Sequence, residues 1–334
     1  ITIQQAYGLD TLSGMVKFII RILKGTFLVE GVGAVLFAFK FIPEYGVVTG
    51  IGYAIFHSVS AFCNAGIDII GSTSFQQYAL SPLINFTTMF LIVMGGLGFP
   101  VWHDIATNVR KIGKERKRPL KWLFTRLSLQ SRIVIVMTIS LILFGTLCFF
   151  IIEFENPATM KDMNVFQKIM ASMFQSVTTR TAGYATVSQA GLEESSKLIG
   201  CILMFVGGSP AGTAGGIKTT TAAMLVLTVL CVLRNRRDTE CFDRKIDIES
   251  IKSGITIALI TFLVLFTGIM ALTVFEPGVN VLDLMYEAAS AMGTVGLSAD
   301  LTPSLTRASH IVLMLMMYIG RIGPLTMALV FAGK

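Results

Sequence analysis

The stretch Gly207-Gly208-Ser209-Pro210-Ala211-Gly212-Thr213-Ala214-Gly215-Gly216-Ile217-Lys218, here called the central loop, interrupts a long apolar run with a glycine-rich, helix-breaking segment. From residue 197 to residue 233 the chain is almost uncharged, and this run far exceeds the roughly 20 residues of one membrane-spanning helix. Irregular backbone at membrane depth persists only where protein buries it or where it lines a watery path, because its N–H and C=O groups otherwise lack partners. The sequence therefore predicts a bent segment beside an aqueous pathway.

The second half of the central loop also resembles a phosphate-binding loop. Residues 212–219 nearly match the pattern G-x-x-x-x-G-K-[ST], in which the second glycine lets backbone amides approach a phosphate. Ile217 occupies the position of that glycine, and an apolar span rather than a buried strand precedes the loop. The sequence therefore argues against a nucleotide site at this place.

The composition is that of an integral membrane protein. The 334 residues are 53% hydrophobic and 14% charged, with a mean hydropathy of +0.72, which is more apolar surface than a soluble fold usually hides. The net charge of +7 comes from basic residues in short segments between apolar spans, as in cytoplasmic loops, so we expect no nucleic-acid partner. The five cysteines are scattered, and their spacing indicates neither a disulfide framework nor a metal site.

Apolar segments recur three times in the order long, short, long. The expected sets are residues 25–43, 47–62 and 84–101, then 133–152, 166–177 and the broken 198–233, then 255–274, 282–292 and 311–331. Acidic residues follow the first long segment of each set, whereas basic residues follow the second one wherever the chain continues, most clearly at 110–118. The short segments are too brief to cross a bilayer. Each is therefore predicted to enter the membrane from outside and turn back.

Each short segment ends in a similar turn around one glycine. The turns read Cys63-Asn64-Ala65-Gly66-Ile67, Arg180-Thr181-Ala182-Gly183-Tyr184 and Gly293-Thr294-Val295-Gly296-Leu297. Backbone carbonyls of Thr-Val-Gly-Tyr-Gly-type loops replace the hydration shell of K+ in potassium pores, and glycine tolerates the backbone conformations that aim successive carbonyls at one axis. Ordinary re-entrant turns are the alternative, but three copies in equivalent places favour a filter.

The three turns depart from that loop at its last position. Asp68, Ala185 and Ser298 stand where the final glycine belongs, and the turn at residues 64–67 is the loosest match of the three. We therefore expect a less regular outer carbonyl ring and softer ion selectivity than in a potassium channel.

These turns, the central loop and Arg321 resemble the pore subunit of the bacterial Trk/Ktr/HKT superfamily of potassium transporters. The resemblance covers nearly the whole chain and implies an all-α integral membrane protein, in which four helix–pore-loop–helix units surround one ion pathway with pseudo-fourfold, K+-channel-like symmetry. It makes residues 25–110 the second unit, 111–235 the third and 236–334 the fourth. Residues 1–24 would be a cytoplasmic link from a first unit upstream, so we expect an intact mass above the 36.3 kDa of this sequence.

The same resemblance implies the site residues. The carbonyls that bind the ion would belong to Cys63, Asn64, Ala65, Gly66, Arg180, Thr181, Ala182, Gly183, Gly293, Thr294, Val295 and Gly296. The gate would consist of Gly207, Gly208, Gly212, Gly215, Gly216, Lys218 and Arg321. The Arg180 side chain is expected behind the filter as a brace, because a cation facing the axis would repel K+.

The gate would be a mobile loop in the cavity below the filter, with a static kink as the alternative. Arg321 falls near mid-membrane, where an arginine usually faces a cavity and has a partner. We expect it to contact carbonyls of the central loop and to raise the barrier to cations; a structural clamp between helices is the alternative. Asp68 and Glu287 are expected to add negative potential at the outer mouth.

The resemblance implies uptake of K+, or of K+ and Na+, down the electrochemical gradient across a bacterial plasma membrane, without covalent chemistry and without an organic cofactor in this chain. Family members form homodimers and bind a cytosolic ring of RCK-type regulatory subunits that bind ATP/ADP or NAD, for which residues 110–126 and 234–245 are basic candidate contacts. An alternating-access secondary cation transporter is the alternative, because such proteins also use broken helices and repeats. Their repeats are usually inverted or paired, whereas these share one orientation. A membrane enzyme would need convergent His, Asp, Glu or Cys residues inside the spans, which the sequence lacks.

Overall fold

The fold is helical, as the sequence predicts. A computed structural model describes residues 12–71, 73–114, 124–235, 239–242 and 244–323. The longer helices in these ranges are α1 (Leu12–Tyr45), α2 (Val47–Phe62), α3 (Pro82–Gly96), α4 (Phe99–Lys114), α5 (Leu129–Glu153), α6 (Val165–Thr178), α7 (Glu194–Phe205), α8 (Thr219–Leu233), α9 (Ile248–Phe275), α10 (Val281–Gly293) and α11 (Arg307–Ile322). Two short strands, β1 (Glu240–Cys241) and β2 (Arg244–Lys245), pair antiparallel.

Three of these helices form an apolar outer layer. Within the described residues, α1 (from Ile19), α5 and α9 are long and apolar enough to cross a membrane, and α3 with α4 would be a fourth crossing if the bent pair were one span. Large apolar side chains such as Phe39, Leu147 and Phe266 are exposed on the three long helices. Such surface is stable against lipid tails, which are as apolar as the side chains themselves. The chain is thus an integral membrane protein.

The three predicted short helices are confirmed. The short helix α2 has the expected bounds, and α6 and α10 each extend one residue further at both ends. Helix α6 begins with a capping box in which the Asn164 side chain accepts from the Gln167 amide and the Gln167 side chain accepts from the Asn164 amide. Asn280 likewise caps α10 by accepting from the Leu282 amide. Caps of this kind explain why the short helices start abruptly after polar loops.

The first long helix begins earlier than expected. Helix α1 is continuous from Leu12 to Tyr45, whereas the sequence predicts a separate link over residues 1–24 and a span that starts at residue 25. Arg21 and Lys24 lie three positions apart and are both exposed, so the helix extends beyond the apolar layer without burying a charge. Residues 1–11 lie outside the described part of the chain.

The expected span at residues 84–101 is wrong, because the chain bends there. Helix α3 ends at Gly96, and α4 leaves it at an angle of 97°. Gly98 adopts a φ of +86°, and a Cβ on it would lie 2.5 Å from the Pro210 carbonyl oxygen. The bend therefore needs glycine both for its backbone conformation and for the close approach of the central loop.

The last expected span, at residues 311–331, is observed only in part. Helix α11 starts at Arg307, four residues before the expected position, and ends at Ile322. Gly323 follows with a φ of +96°. Residues 324–334 lie outside the described part of the chain, as do residues 115–123 in the basic segment after α4.

The units interlock around the short helices. Helix α6 packs against α3 of the preceding unit, and α10 packs in the same way against α7. The Tyr184 ring, which follows α6, stacks on Phe75 of the preceding unit with ring centroids 4.5 Å apart, and both rings are fully buried. Tyr286 on α10 donates through its hydroxyl to Gln189 Oε1 at 2.7 Å. This packing draws the carboxyl ends of the short helices toward one place.

Candidate functional site

The three glycine turns meet, although they lie far apart in the sequence. A Cβ built on Gly66 would lie 2.7 Å from Gly183 Cα, and one built on Gly296 would lie 3.7 Å from the same atom. A Cβ on Gly183 would also overlap the Val295 carbonyl oxygen. The turns at residues 63–67, 180–184 and 293–297, here called the first, second and third turns, therefore form one cluster of backbone.

Each turn alternates between left-handed and ordinary backbone conformations. Positive φ angles occur two residues apart in every turn: Asn64 (52°) and Gly66 (65°), Thr181 (71°) and Gly183 (91°), Thr294 (53°) and Gly296 (94°). The alanine or valine between each pair is not left-handed. A positive φ is uncommon for any residue with a Cβ and an outlier for threonine, so the surrounding structure must impose it. Alternation of this kind turns successive carbonyls toward the same side.

The first left-handed residue of a turn also ends the preceding helix. The Ala65 amide donates to the Ser60 carbonyl (2.9 Å), and the Val295 amide donates to the Ser290 carbonyl (2.8 Å). These six-residue closures, with a left-handed residue just before the donor, have the pattern of a Schellman cap. In the second turn the equivalent Ala182 amide donates to the Thr178 carbonyl (3.0 Å). Asn64 is a recognisable left-handed residue in the sequence, whereas the two threonines give no such signal.

Side-chain hydroxyl groups form hydrogen bonds with backbone groups of the turns. Ser60 Oγ donates to the Ile67 carbonyl (2.7 Å), and Thr178 Oγ1 donates to the Tyr184 carbonyl (2.6 Å). The Tyr184 hydroxyl also donates to the Ile67 carbonyl, at 3.0 Å. In the third turn the Gly296 amide donates to Ser290 Oγ (3.2 Å). The carbonyls just after Gly66 and Gly183 are therefore drawn away from the cluster.

The carbonyls before these positions have no such partners. Within the described part of the chain, no hydrogen-bond donor contacts the backbone oxygens of nine residues in the turns. These residues are Asn64, Ala65, Gly66, Thr181, Ala182, Gly183, Thr294, Val295 and Gly296. Asn64, Thr181, Ala182, Gly183 and Val295 are buried, where backbone carbonyls are nearly always paired. A group of unpaired ones is a concentrated source of negative partial charge. Such a group suits a dehydrated monovalent cation.

The three residues that start the turns also end the short helices. The backbone amides of Cys63 and Arg180 donate hydrogen bonds to the Val59 carbonyl (2.8 Å) and the Val177 carbonyl (3.1 Å), which close the ends of the short helices. Gly293 is the last residue of α10, and a Cβ there would lie 2.5 Å from the Met204 carbonyl oxygen. Their own carbonyls, like the other nine, accept no hydrogen bond from the described residues, so all twelve predicted carbonyls remain candidate ion ligands.

The Arg180 side chain lies behind the second turn. It is 8% exposed and, with Thr138, Gly96 and Gly208, lines a small cavity between helices and the central loop. Its Nε has no hydrogen-bond partner among the described residues. The guanidinium therefore places positive charge next to the central loop.

The two ends of the central loop are hydrogen-bonded to each other, and the loop lies against the turns. Val206 and Ile217 form a parallel bridge, in which the Gly207 amide donates to the Ile217 carbonyl at 2.9 Å. Thr213 Oγ1 donates to the Phe62 carbonyl at the end of α2 (3.2 Å). A Cβ on Gly215 would lie 3.0 Å from the Gly293 carbonyl oxygen at the end of α10. The loop therefore occupies the space where two short helices end.

The other glycines of the loop shape its backbone. The Gly212 amide donates to the Ser209 carbonyl (3.2 Å), and the Gly208 carbonyl accepts from the Thr219 amide (3.0 Å). Gly216 has a φ of +68°. These contacts hold the loop without a helix, as expected from its composition.

The bend after α3 provides further anchor points for the loop. The Ser209 amide donates to the Gly96 carbonyl (3.0 Å), and the Thr213 amide donates to the Gly95 carbonyl (3.3 Å). Carbonyls in the last turn of a helix lack intrahelical partners, so the loop satisfies groups that the bend exposes. Sequence reasoning missed this pairing; the signal was the Gly95-Gly96-Leu97-Gly98 motif, which breaks the expected span.

Two cations hold carbonyls of the central loop. Arg321 Nη1 donates to the Thr213 carbonyl at 2.8 Å, and Lys218 Nζ donates to the Ala214 carbonyl at 2.8 Å. The Arg321 contact is the one expected from the sequence. Arg321 ties the loop to α11 and so favours its observed position, whereas the Lys218 bond lies within the loop and favours its conformation.

Replacing Arg321 by alanine is expected to raise the initial rate of K+ uptake about threefold to tenfold. Hydrogen bonds to charged groups contribute roughly 1.5–3 kcal/mol, and the lower end applies because Arg321 is exposed. Rb+ uptake into cells measures the rate, with Arg307→Ala, an exposed arginine on the same helix, as the control. An unchanged rate at equal membrane abundance would indicate that Arg321 is a structural clamp between helices and has no role in gating.

Glu287, expected to add negative potential at the outer mouth, is a buried residue bound to the segment after the third turn. It is 4% exposed and accepts from Ser298 Oγ (2.6 Å) and the Ala299 amide (2.9 Å). His57 stands nine residues before its turn glycine, as Glu287 does, and its Nε2 lies 3.4 Å from the Ile69 amide. Both side chains therefore brace the segment after a turn, a role that the shared spacing could have indicated. Asp68 accepts from the Gly71 amide at 3.4 Å.

Comparison with known proteins agrees with this architecture. A profile of the TrkH family, described as a cation transport protein, matches residues 7–334. The chain is 33% identical to the Ktr system potassium uptake protein B of Bacillus subtilis, over 99% of this chain and 71% of that protein. It is 34% identical to the potassium/sodium uptake protein NtpJ of Enterococcus hirae, over 98% and 70% of the two chains.

A solved structure has the same fold. The crystal structure of the potassium transporter TrkH from Vibrio parahaemolyticus matches with a TM-score of 0.73 and 17% identity, over 98% of this chain and 67% of that chain. The family profile and the close relatives together cover nearly every residue of the sequence. The chain therefore belongs to the TrkH family of cation transport proteins.

Proposed function

We propose that this protein takes up K+ across the bacterial plasma membrane through the cluster of the three turns. The observation that carries the proposal is the group of nine backbone carbonyls without donors at one place. Oxygens of this kind replace the hydration shell of K+. The names of the relatives, a potassium uptake protein and a potassium/sodium uptake protein, agree with this cargo.

The geometry also supports a short filter. Because the carbonyls of Ile67 and Tyr184 are bound by hydroxyls behind the turns, the coordinating oxygens of the first and second turns end at the turn glycines. Fewer coordinating layers discriminate less between ions, so Na+ is a second cargo of this site. The three units that supply the turns are residues 25–110, 111–235 and 236–334, with the first unit extended back to Leu12 by helix α1.

The central loop is the gate of this pathway. It lies against the ends of α2 and α10 through Thr213 and Gly215, and Arg321 and Lys218 hold its carbonyls. Positive charge beside the pathway opposes a passing cation. Opening then requires the loop to leave its anchors on Gly95 and Gly96.

Two partners belong to this proposal. A homodimer and a cytosolic ring of nucleotide-binding regulatory subunits would control the gate, with contacts at residues 110–126 and 234–245. The second segment contains the β1–β2 hairpin, on which Arg244 and Lys245 are exposed. Basic side chains at the cytoplasmic face suit an acidic protein surface.

Complementation tests the proposed function. Expression in a bacterium that lacks its own potassium uptake is expected to restore growth at low K+ and to give Rb+ uptake that exceeds Na+ uptake. Membrane abundance is measured in the same cells. Abundant protein without Rb+ or Na+ uptake would contradict the proposal, and uptake in fixed stoichiometry with a second ion would indicate the alternating-access transporter instead.

A further inference from the structure

A cavity of about 390 Å³ lies between the first part of α1 and helix α4. It is separate from the three turns and from the central loop. Leu28 of α1 and Phe99 and Trp102 of α4 contribute apolar lining. The exposed basic residues of both helices that also line the cavity are here called its rim: Arg21, Lys24 and Arg110. The cavity thus combines apolar and positively charged lining.

The charge around the cavity is positive. Arg21 and Lys24 on α1 and Arg110 on α4 line it and are exposed, and none of the described lining residues carries a carboxylate. Arg21 Nη1 lies 2.7 Å from His103 Nε2, which positions the guanidinium beside α4. The three cations together suit an anion that carries phosphate oxygens.

The carboxylate of α4 that is nearest in sequence to the cavity residues accepts hydrogen bonds from groups outside the cavity. Asp104 accepts from Asn108 Nδ2 at 2.9 Å and from the Ser128 amide at 2.8 Å. It is not among the residues that line the cavity. The positive charge of the rim is therefore not cancelled by the carboxylate that is closest in sequence.

An apolar stripe continues from the cavity along α1. Leu28, Val32, Val35 and Phe39 are all 48% exposed or more, and their spacing of three and four residues puts them on the helix face that carries Arg21. At about 1.5 Å per residue the stripe from Leu28 to Phe39 is roughly 16 Å long. This length is close to half of a hydrocarbon core of about 30 Å.

The cavity lies where a membrane surface is expected. Helix α4 is strongly amphipathic and leaves α3 at 97°, which directs it along the surface if α3 crosses the bilayer. Trp102 belongs to a residue type that is enriched at such interfaces, and basic residues mark the cytoplasmic side. A headgroup of the inner leaflet would therefore meet the rim, and its acyl chain would meet the stripe.

We propose that this cavity binds an anionic phospholipid of the inner leaflet. Its phosphate lies among Arg21, Lys24 and Arg110, and one acyl chain follows the stripe that starts at Leu28. The bound lipid joins α1 to α4, whose first residue, Phe99, donates its amide to the Ala211 carbonyl of the central loop at 3.4 Å. This inference does not rest on the proposed function, because lipid binding is measured without ion flux.

Fluorescence of Trp102 provides a local test. The chain has two tryptophans, so Trp122→Phe leaves Trp102 as its single tryptophan, whose emission is excited selectively over that of the tyrosines. The full-length protein in detergent is titrated with phosphatidylglycerol that carries brominated acyl chains, which quench only on contact, and with phosphatidylcholine that carries the same chains. We expect quenching at lower concentrations of phosphatidylglycerol. Equal quenching by both lipids would overturn the proposal.

Charge variants extend the test. Arg21→Gln, Lys24→Gln and Arg110→Gln are each expected to weaken phosphatidylglycerol binding roughly fivefold, since each basic residue near the surface contributes about 1 kcal/mol. Arg21→Lys keeps the charge and should bind nearly as well as the parent. Lys252→Gln, an exposed lysine on α9, is the matched control. Unweakened binding in the triple glutamine variant would contradict the assignment to this cavity.

A competition experiment distinguishes a site for a lipid from a site for a free anion. Inorganic phosphate is added at increasing concentration before the brominated phosphatidylglycerol. Little competition at millimolar phosphate is expected, because the acyl chain contributes apolar burial that phosphate lacks. Complete displacement by phosphate at the concentration of the lipid would show a site for a free anion and overturn the lipid proposal.

Discussion

Replacing Gly183 by alanine is expected to reduce K+ uptake roughly tenfold to a hundredfold while the protein remains in the membrane. Gly183 has a φ of +91°, and a new Cβ would overlap the Val295 carbonyl oxygen of the neighbouring turn and lie 3.3 Å from Gly66 Cα. Strain at such a position costs about 1–3 kcal/mol, and each 1.4 kcal/mol is a factor of ten. The strain falls on the carbonyls that are proposed to coordinate the ion.

The control for this variant is Gly52→Ala. Gly52 lies in α2, has no positive φ, and a Cβ there would meet nothing within 4 Å. Alanine in a helix is more stable than glycine by roughly 0.5–1 kcal/mol, so this variant should keep full uptake. The measurement is Rb+ uptake normalised to membrane abundance. Full uptake by Gly183→Ala at normal abundance would remove the second turn from the pathway.

Removing residues 207–216 from the central loop is expected to raise uptake at least several-fold. The deletion joins Val206 to Ile217, which already pair in the structure. It removes the contacts of Thr213 with the Phe62 and Gly95 carbonyls, each worth about 1 kcal/mol. It also removes the backbone that fills the space below the turns.

A point variant of the central loop gives a milder test than the deletion. Thr213→Val removes the hydroxyl that donates to the Phe62 carbonyl and keeps the shape of the side chain. A smaller rise, about twofold to fivefold, is expected from the loss of one hydrogen bond. The ratio of Rb+ to Na+ uptake should stay constant in both variants, since the turns are unaltered. Unchanged or lost uptake in correctly folded protein would show that the loop is a static kink.

Much of the helical order is readable from the sequence, because it depends on local properties. Length and hydropathy distinguish the long helices from α2, α6 and α10. The glycines and Pro210 of the central loop predict the break at residues 206–218, since such residues do not sustain a helix. A partner for Arg321 follows from the high energy of an unpaired arginine inside a membrane, whereas the choice of the central loop as that partner came from the family resemblance.

Other features depend on contacts between distant segments. The bend at Gly98 is stable because residues of the central loop bind the carbonyls that it exposes. The left-handed conformation of Thr181 and Thr294 opposes the preference of threonine, so only the packing around the turns can impose it. The same holds for Glu287, whose partners lie in the segment after the third turn.

The sequence by itself determined most of the apolar helices, the break at the central loop, and the three glycines that follow the short helices, because apolar length and glycine content act locally. Only the tertiary structure decided that Gly66, Gly183 and Gly296 meet, that nine carbonyls are left without donors, and that α1 and α4 enclose a basic cavity. Those features arise from the packing of helices far apart in the chain, and such packing is not encoded in any single segment.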